Sequence, residues 1–259
     1  MDDYQHCLVE RDGPVLTITI NRPHVLNALH PPAHRELARA FDHFAANPEL
    51  RVTILTGKGE RAFCVGTDIK ARAESGRDDH PDTGFGGITR RFDLLKPVIA
   101  AINGLALGGG LEMVAACDLA VAADDARLGL PEPLVGLAAL GGGLQRLARQ
   151  LPLKQAMGLV LSGKSIGAGE ALRMGLINQA VPARDLLAAA RVLATDLLAG
   201  APLALEAAKQ VMLQSLAEPD LEKALRATYP AAERMLASED AREGQRAFVE
   251  KRKPRWLGR

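Results

Sequence analysis

Short apolar runs alternate with helical stretches through the first two-thirds of the 259-residue chain. Three of these runs are rich in β-branched residues and predict strands. They comprise residues 15–20, 52–56 and 98–102. Residues 31–46 carry apolar side chains at helical spacing, and Asn47-Pro48 ends that pattern. Strands separated by helices predict an α/β fold with crossover connections.

A polar, glycine-rich stretch interrupts this alternation at residues 72–87. It has no apolar period, so we expect a surface loop of the kind that often flanks a binding site.

The last third of the chain is rich in alanine and leucine and has almost no strand signal. Four helices fit this composition, at about residues 183–199, 202–217, 219–236 and 239–250. We therefore predict a core over residues 1–199 and a helical region over residues 200–259. The pattern leaves open whether these helices form a lid or oligomer interface, or simply cover the sheet.

Composition and charge narrow the class of protein. Hydrophobic residues make up 47%, which is enough to bury a sizeable core, and 32 Lys and Arg nearly balance 31 Asp and Glu. A net charge of +1 and only 3% aromatic residues argue against a general nucleic-acid binder.

The cysteines and the N-terminal residues bear on the cellular compartment of the protein. Cys7, Cys64 and Cys117 are odd in number and far apart, so neither a disulfide framework nor zinc spacing emerges. The first twenty residues lack a continuous apolar stretch with a cleavage site, and no charge-free apolar run reaches 18 residues. We therefore expect a cytoplasmic protein without a secretory signal or a transmembrane helix.

The first segment that could carry chemistry is residues 61–70. Gly66 lets the backbone approach a ligand closely, and Asp68 could cap a following helix. The amides near Thr67 would then donate to an anionic oxygen, and Lys70 could pair with a phosphate. A plain strand-to-helix turn with a solvated lysine explains the same residues, and it is the simpler interpretation of this stretch alone.

The second segment is the glycine run 108–110, where a buried strand gives way to a helical pattern. Its open amides could bind an anion, although neither the GxGxxG spacing nor a P-loop lysine is present. Glu112 falls in the first helical turn, where the helix dipole stabilises a carboxylate. A helix packed tightly on its strand explains this pattern too.

The third segment places Glu132 between two prolines, on a stiff backbone that suits a positioned acid or base. A surface turn explains it as easily. A further glycine run, residues 141–143, opens another helix. His30 and His34 are four residues apart, but two prolines lie between them and no third ligand is near, so we expect no metal site.

Taken together and in order, these segments resemble the crotonase (enoyl-CoA hydratase/isomerase) superfamily over nearly the whole chain. The matching stretches are residues 21–23, 27–29, 62–70, 96–104, 106–112, 116–118, 131–132, 141–146, 175–178, 181–182 and 243–253. Residues 77–92 and the basic C-terminal tail look most like the carnitinyl-CoA dehydratase-type branch.

The resemblance implies a crotonase-like spiral of ββα units with a C-terminal helical oligomerisation region. The core over residues 1–199 would bind an acyl-CoA thioester, and the C-terminal helices would build a homotrimer or homohexamer. It implies no cofactor beyond the coenzyme A of the substrate, and a place in fatty acid metabolism. The balanced charge and the lack of a long apolar run already predict no nucleic-acid or membrane partner.

By motif position, the resemblance makes Thr67 and Gly109 the two backbone amides that polarise the thioester carbonyl. Glu112 and Glu132 would hold one water between them. One carboxylate would take a proton from the water as it attacks Cβ, and the other would deliver a proton to Cα. The two roles stay unassigned. The expected activity is that of an enoyl-CoA hydratase, a carbon–oxygen lyase.

The resemblance also assigns residues to substrate and coenzyme A. They are Arg22, Val65, Asp68, Ile69, Lys70 and Leu140. Many relatives have Pro-Gly where this chain has Ala139-Leu140, so only the Leu140 N–H could replace the glycine N–H that holds water. The leucine side chain would narrow the pocket, which leaves the acyl group open. The alternatives are an enoyl-CoA isomerase, a dehydratase of a specialised acyl-CoA such as carnitinyl-CoA, and a non-catalytic CoA-thioester binder.

Overall fold

The computed structural model describes residues 4–75 and 79–259, and within these ranges the strands form two sheets. The larger sheet has six strands in the order β1-β2-β3-β5-β7-β10, of which only the β1–β2 pair is antiparallel. The six are Cys7–Asp12 (β1), Val15–Ile20 (β2), Val52–Gly57 (β3), Val98–Ile102 (β5), Leu119–Ala123 (β7) and Gln179–Val181 (β10). The predicted α/β class is confirmed.

The smaller sheet has four short strands in the order β4-β6-β8-β9. They are Ala62–Cys64 (β4), Leu105–Leu107 (β6), Arg127–Gly129 (β8) and Ser165–Gly167 (β9). A strand of the larger sheet is followed by a strand of the smaller one and then by a helix, three times in succession. These repeats are the predicted ββα units. They bring the ends of β4, β6 and β8 side by side, together with the segments that follow them.

The helices occupy most of the remaining chain. They are Pro31–Ala46 (α1), Ile69–Ser75 (α2), Gly109–Ala116 (α3), Gly143–Gln150 (α4), Leu153–Ser162 (α5), Ala168–Met174 (α6), Leu186–Leu198 (α7), Pro202–Ser215 (α8), Leu221–Arg226 (α9), Pro230–Ala237 (α10) and Glu239–Val249 (α11). Short 3-10 helices span Pro23–Val25, Phe85–Gly87, Glu132–Val135 and Ala183–Asp185. The predicted helix 31–46 and the predicted strands 15–20 and 98–102 match the observed bounds.

The core explains why the central strands have no polar alternation. Every residue of β3 and β5 is buried, because both faces of the larger sheet are covered. On one face, Leu186, Ala190 and Ala194 of α7 pack on apolar side chains of β3, β5 and β7. This part of the C-terminal helical stretch therefore covers the sheet.

Two predicted elements were wrong in part. The helix expected at 219–236 is broken into α9 and α10, because Tyr229 precedes Pro230 and adopts an extended conformation. The surface loop expected at 72–87 is not a simple loop. Residues 72–75 belong to α2, and Phe85–Gly87 form a buried turn against α1 and α3. Residues 76–78 of that stretch lie outside the described residues.

The three cysteines are free thiols. Cys7 and Cys64 are buried, and burial raises the pKa of each thiol to about 12. Burial also raises the pKa of the Cys117 thiol well above its usual range. All three thiols are therefore protonated at neutral pH, which makes them poor nucleophiles.

No single helix in residues 4–75 and 79–259 is both long and apolar enough to cross a membrane. The segments Ala183–Leu198 and Pro202–Ser215 meet that standard only when taken together, across a bend of 100°.

Candidate active site

The turn after β4 is held against the start of α3. Gly66 has a φ of +93°, and a Cβ built on it would lie 3.2 Å from the Gly109 amide nitrogen. Leu29 pairs with this turn on its other side, donating to the Gly66 carbonyl and accepting from the Asp68 amide, both at 2.8 Å. Thr67 lies between the two bonded residues. The structure therefore brings residues 66 and 67 and the first amide of α3 to one place.

A buried ion pair fixes the same turn. The Arg22 guanidinium lies 3.0 Å from the Asp68 carboxylate and also donates to the Ala28 carbonyl. Asp68 accepts from the Ala71 amide at 3.3 Å, so the predicted cap of α2 is present. Partial burial raises the pKa of Asp68, but hydrogen bonds from Ala71 and Arg22 outweigh it and lower the pKa below its usual value.

The start of α3 is packed so tightly that side chains would not fit there. A Cβ on Gly110 would overlap the carbonyl group of Cys64, and one on Gly109 would overlap the Phe85 ring. Glycine at these two positions lets the helix start lie directly on β4. The Gly109 N–H is one of the first amides of a helix and has no partner within it.

Glu112 lies in the first turn of α3 and is only 4% exposed. Its Oε1 accepts from the Gly143 amide at 2.8 Å, and the Gly141 amide also donates to the carboxylate. Burial raises the pKa of Glu112, these two amides oppose the shift, and the nearby Glu132 carboxylate raises it further. The net effect is a Glu112 pKa above the usual value for a glutamate, which makes this carboxylate a stronger base than a solvated one.

Glu132 begins a 3-10 helix between Pro131 and Pro133. Its Oε1 lies 3.0 Å from the position of a Cβ on Gly108, so the carboxyl group reaches the turn that leads into α3. Its Oε2 is buried and has no hydrogen-bond partner among the described residues. Burial raises the pKa of Glu132. The structure thus brings the two predicted acids together beside the Gly109 amide.

Two interacting carboxyl groups do not ionise independently. When one is charged, the other holds its proton more tightly, so the pair titrates jointly. A pair of this kind can accept a proton at one oxygen while it delivers one from another. The arrangement is suited to proton transfers on two neighbouring atoms of a bound molecule.

The other predicted site residues lie further out. Ile69 and Lys70 are exposed at the start of α2, and Val65 is half-buried beside the turn. Arg22 is buried and already paired with Asp68. Leu140 is 71% exposed, so in this chain its side chain lies open to solvent rather than across the two acids.

Sequence reasoning missed the groups that hold Glu112. They are the amides of Gly141 and Gly143, which lie one and three residues beyond the expected Leu140 amide. The glycine run 141–143 at a helix start was the available signal, because such runs expose amide donors. Phe85 was missed because it lies in a stretch read as a surface loop.

His30 and His34 make hydrogen bonds that stabilise the fold. His30 Nδ1 accepts from the Ala33 amide at 3.4 Å at the start of α1, and His34 Nδ1 accepts from the Gly86 amide at 3.0 Å. Residues 4–75 and 79–259 contain no group of three or more His, Cys, Asp or Glu side chains that could hold a metal ion.

Comparison with known proteins agrees with this geometry. A family profile described as enoyl-CoA hydratase/isomerase matches residues 10–259. The chain is 42% identical to carnitinyl-CoA dehydratase of Salmonella typhi, over 96% of this chain and 97% of that protein.

Solved structures are similar over almost the whole chain. The enoyl-CoA hydratase of Mycobacterium tuberculosis H37Rv has a TM-score of 0.92 at 40% identity, covering 98% of this chain and 99% of that one. The enoyl-CoA hydratase of Bacillus anthracis has a TM-score of 0.90 at 35% identity, covering 98% and 100%. The resemblance and the crotonase-like spiral inferred from sequence are both confirmed.

Proposed function

The chain belongs to the enoyl-CoA hydratase/isomerase family, and from that premise we propose that it adds water reversibly to a 2-enoyl-CoA thioester. The observation that carries the proposal is the meeting of the buried Glu112 carboxyl group and the half-buried Glu132 carboxyl group beside the amide that opens α3. Family members that only move a double bond need fewer proton-transfer groups than are present here.

In the proposed reaction the amides of Thr67 and Gly109 bind the thioester oxygen. Gly66 is in close contact with the Gly109 amide, which supports a shared binding point. Donors aimed at a developing oxyanion contribute about 2.7–4 kcal/mol each in other enzymes. The dipole of α3 adds to this stabilisation, because its positive end lies at Gly109.

The two carboxyl groups divide the proton transfers. Two amides of another segment donate to Glu112 and favour its charged form. The Glu132 carboxyl group accepts from its own backbone amide, and its Oε2 has no donor among the described residues. We therefore assign Glu112 as the base. It takes a proton from water as the water oxygen bonds to Cβ, and the Cα–Cβ π electrons move to the thioester. Glu132 gives its proton to Cα. Dehydration runs through the same steps in reverse.

A second candidate is dehydration of a specialised 3-hydroxyacyl-CoA such as carnitinyl-CoA. The 42% identical Salmonella typhi relative bears that name, and it covers almost the full length of both chains. The same two acids serve this reaction, so the candidates differ in the acyl group and not in the chemistry.

Coenzyme A contacts are proposed for residues near the turn. Lys70 is exposed at the start of α2 and is suited to a phosphate. The backbone at Val65 and Ile69 lies close to it in the chain, and the Leu140 side chain is exposed. For Arg22 and Asp68 we propose a supporting role, because they pair with each other. No cofactor is required beyond the coenzyme A of the substrate.

We also propose a homotrimer or homohexamer in the cytoplasm, acting in fatty acid metabolism. Large apolar side chains that are more than half exposed on α8, α9 and α11 support self-association. They include Met212, Leu213, Leu221, Leu225, Phe248 and Val249. The free, protonated thiols suit a reducing compartment. Sedimentation velocity measures the assembly, and a monomer at micromolar concentration would contradict it.

The decisive experiment is a panel of acyl-CoA thioesters. It contains 2-enoyl, 3-enoyl, 3-hydroxyacyl and carnitinyl forms, and enoyl-thioester absorbance reports turnover. We expect Glu112→Gln and Glu132→Gln each to lower kcat by about 10²–10⁴-fold, while thioester binding is mostly retained. Glu170→Gln, on an exposed residue, is the matched control.

Two results would contradict the two-acid mechanism. Near-normal turnover by either variant would do so, as would faster movement of a 3-enoyl double bond than hydration of the 2-enoyl form. The second result would identify an isomerase.

A further inference from the structure

Arg146 connects two segments that border the acid pair. Its Nη2 donates to the Thr89 carbonyl at 2.7 Å, and its guanidinium carbon lies 6.0 Å from the centre of the Phe92 ring. Its Nη1 lies against Gly142, where a Cβ would overlap it. Arg146 therefore ties residues 89–92 to the start of α4.

The start of α4 is the part of the chain that holds Glu112. The Gly143 amide donates to Glu112 Oε1 at 2.8 Å, and the Gly141 amide donates to the same carboxylate. Gly142, which Arg146 contacts, lies between these two donors. A displacement of Arg146 would therefore move Gly142 and change both hydrogen bonds to Glu112.

The other end of the connection reaches the start of α3. Thr89 Oγ1 accepts from the Phe85 amide at 2.9 Å, and the Phe85 ring lies against Gly109. The segment that Arg146 holds through the Thr89 carbonyl therefore also supports the proposed oxyanion site.

The guanidinium also acts on Glu112 through its charge. Glu132 raises the pKa of Glu112, and Arg146 opposes that effect. The thiols of Cys64, on β4 against α3, and of Cys117, at the C-terminal end of α3, are protonated at neutral pH and carry no charge. Arg146 therefore adds a positive charge to the Gly143 and Gly141 amides, which also oppose the effect of the second acid on Glu112.

We propose that Arg146 is a positioning residue of the acid pair, whose guanidinium fixes the glycine loop that holds the Glu112 carboxylate and places a positive charge near it. The assignment rests on the proposed function and extends it to a residue that need not touch the substrate. Arginine suits both tasks, because it is always charged and its planar group can donate and stack at once.

The test separates charge from geometry. Arg146→Met and Arg146→Gln remove the charge, and Arg146→Lys keeps it but loses the planar donor. Arg149→Met, at an exposed position of the same helix, is the control. The Glu112 carboxyl is titrated by ¹³C NMR in a Glu132→Gln background, where coupling to the second acid is absent. The kcat and KM values of each Arg146 variant are measured in the otherwise wild-type chain.

We expect both neutral variants to raise the Glu112 midpoint by about one pH unit, a tenfold change in proton affinity. Their kcat should fall about tenfold or more, with a smaller change in KM, and the low-pH limb of kcat/KM should move to higher pH. Arg146→Lys should keep the midpoint near the wild-type value and still lower kcat. Arg149→Met should match the wild type.

The proposal is overturned if the neutral variants keep the wild-type midpoint, or if Arg146→Lys shifts it as far as they do. Wild-type kcat in Arg146→Lys would remove the positioning role. If the neutral variants fail to fold, Arg146→Lys decides the case. Absence of turnover by the wild-type chain would refute the proposed function alone, because the NMR midpoint is read without catalysis.

Discussion

Glu112 stands on a wall formed by residues 66–68, 85–89, 108–112 and 141–143, which are mostly buried and in close contact with one another. Glu132 stands instead on an open turn, residues 131–140, whose large apolar side chains face solvent. Those side chains are Leu134, Val135, Leu137 and Leu140, which are 51–71% exposed.

The difference separates two ways of placing an acid. The wall is held in place by contacts with other parts of the same chain. They are the Arg22–Asp68 ion pair and the hydrogen bonds that the Gly86 and Gly143 amides donate to His34 and Glu112. The conformation of the open turn depends instead on the stiffness of Pro131 and Pro133, and on any surface that packs against its exposed apolar side chains. A change on the wall should therefore disturb catalysis and folding more than a similar change on the turn.

The largest effect is expected from Gly141→Ala. A Cβ at this position would overlap Glu112 Oε2 and lie 3.0 Å from its carboxyl carbon, so the carboxylate must move. Displacement by about 1 Å can cost about 10²-fold in rate, and we expect kcat to fall by that amount while the fold is retained. Steady-state kinetics and circular dichroism test both parts. Unchanged kcat would show that Glu112 is not held as tightly as the wall suggests.

The next effect is expected from the ion pair beneath the wall. Asp68→Leu leaves the buried Arg22 guanidinium without its carboxylate, and removing one partner of a buried pair costs about 3–5 kcal/mol. We expect a loss near the lower figure in urea unfolding. The Arg22→Leu/Asp68→Leu double variant should lose less than the two single changes added together. Asp125→Ala, on an exposed residue, is the control, and additive losses would argue against the pair.

A smaller effect depends on pH. His34 is buried between His80 and Phe85, and burial together with His80 lowers the pKa of His34 to about 3. Its pKa is depressed in the folded state, so its stabilising effect is present above the unfolded pKa near 6.5 and is lost as the pH falls. Between pH 7 and 5 this loss is about 2 kcal/mol.

His34→Leu should therefore flatten the dependence of unfolding free energy on pH over that interval by about 2 kcal/mol. His24→Gln, at an exposed position, should leave the slope unchanged. Equal slopes for His34→Leu and the wild type would show that His34 titrates normally in the folded state.

The smallest effect is expected from Gly136→Ala on the open turn. Gly136 has a φ of +72°, but a Cβ there meets no atom within 4 Å. Only the left-handed backbone strain remains, which costs about 1–2 kcal/mol. Thermal unfolding should register this loss while kcat stays within about twofold of the wild type. A loss of kcat comparable to that of Gly141→Ala would remove the distinction between the two regions.

Local sequence patterns predicted the elements that have clear end signals or an uninterrupted run of one residue type. Helix α1 was bounded correctly because Pro31 and Asn47 mark its ends, and β2 and β5 because their β-branched runs are uninterrupted. Three-residue strands such as β4 and β6 were not predicted, because so short a run shows no period of polar and apolar residues.

The site was less accessible to local reasoning. Gly66 and Gly109 are separated by more than forty residues, and no spacing rule brings them together; the expectation came from family resemblance. The donors at Gly141 and Gly143 and the contact of Arg146 with Thr89 depend on how α4 packs on α3. Such pairings between distant segments are set by tertiary packing.

Because the native thiols are unreactive, a dye attached to an introduced cysteine can report on the conformation of the open turn. Cys7 and Cys64 are buried, and all three native sulfurs hold their protons at neutral pH. A cysteine introduced at the exposed Leu137 would therefore react first with a maleimide fluorophore. Emission from that single dye would then report, in real time, any rearrangement beside Glu132 when a thioester binds.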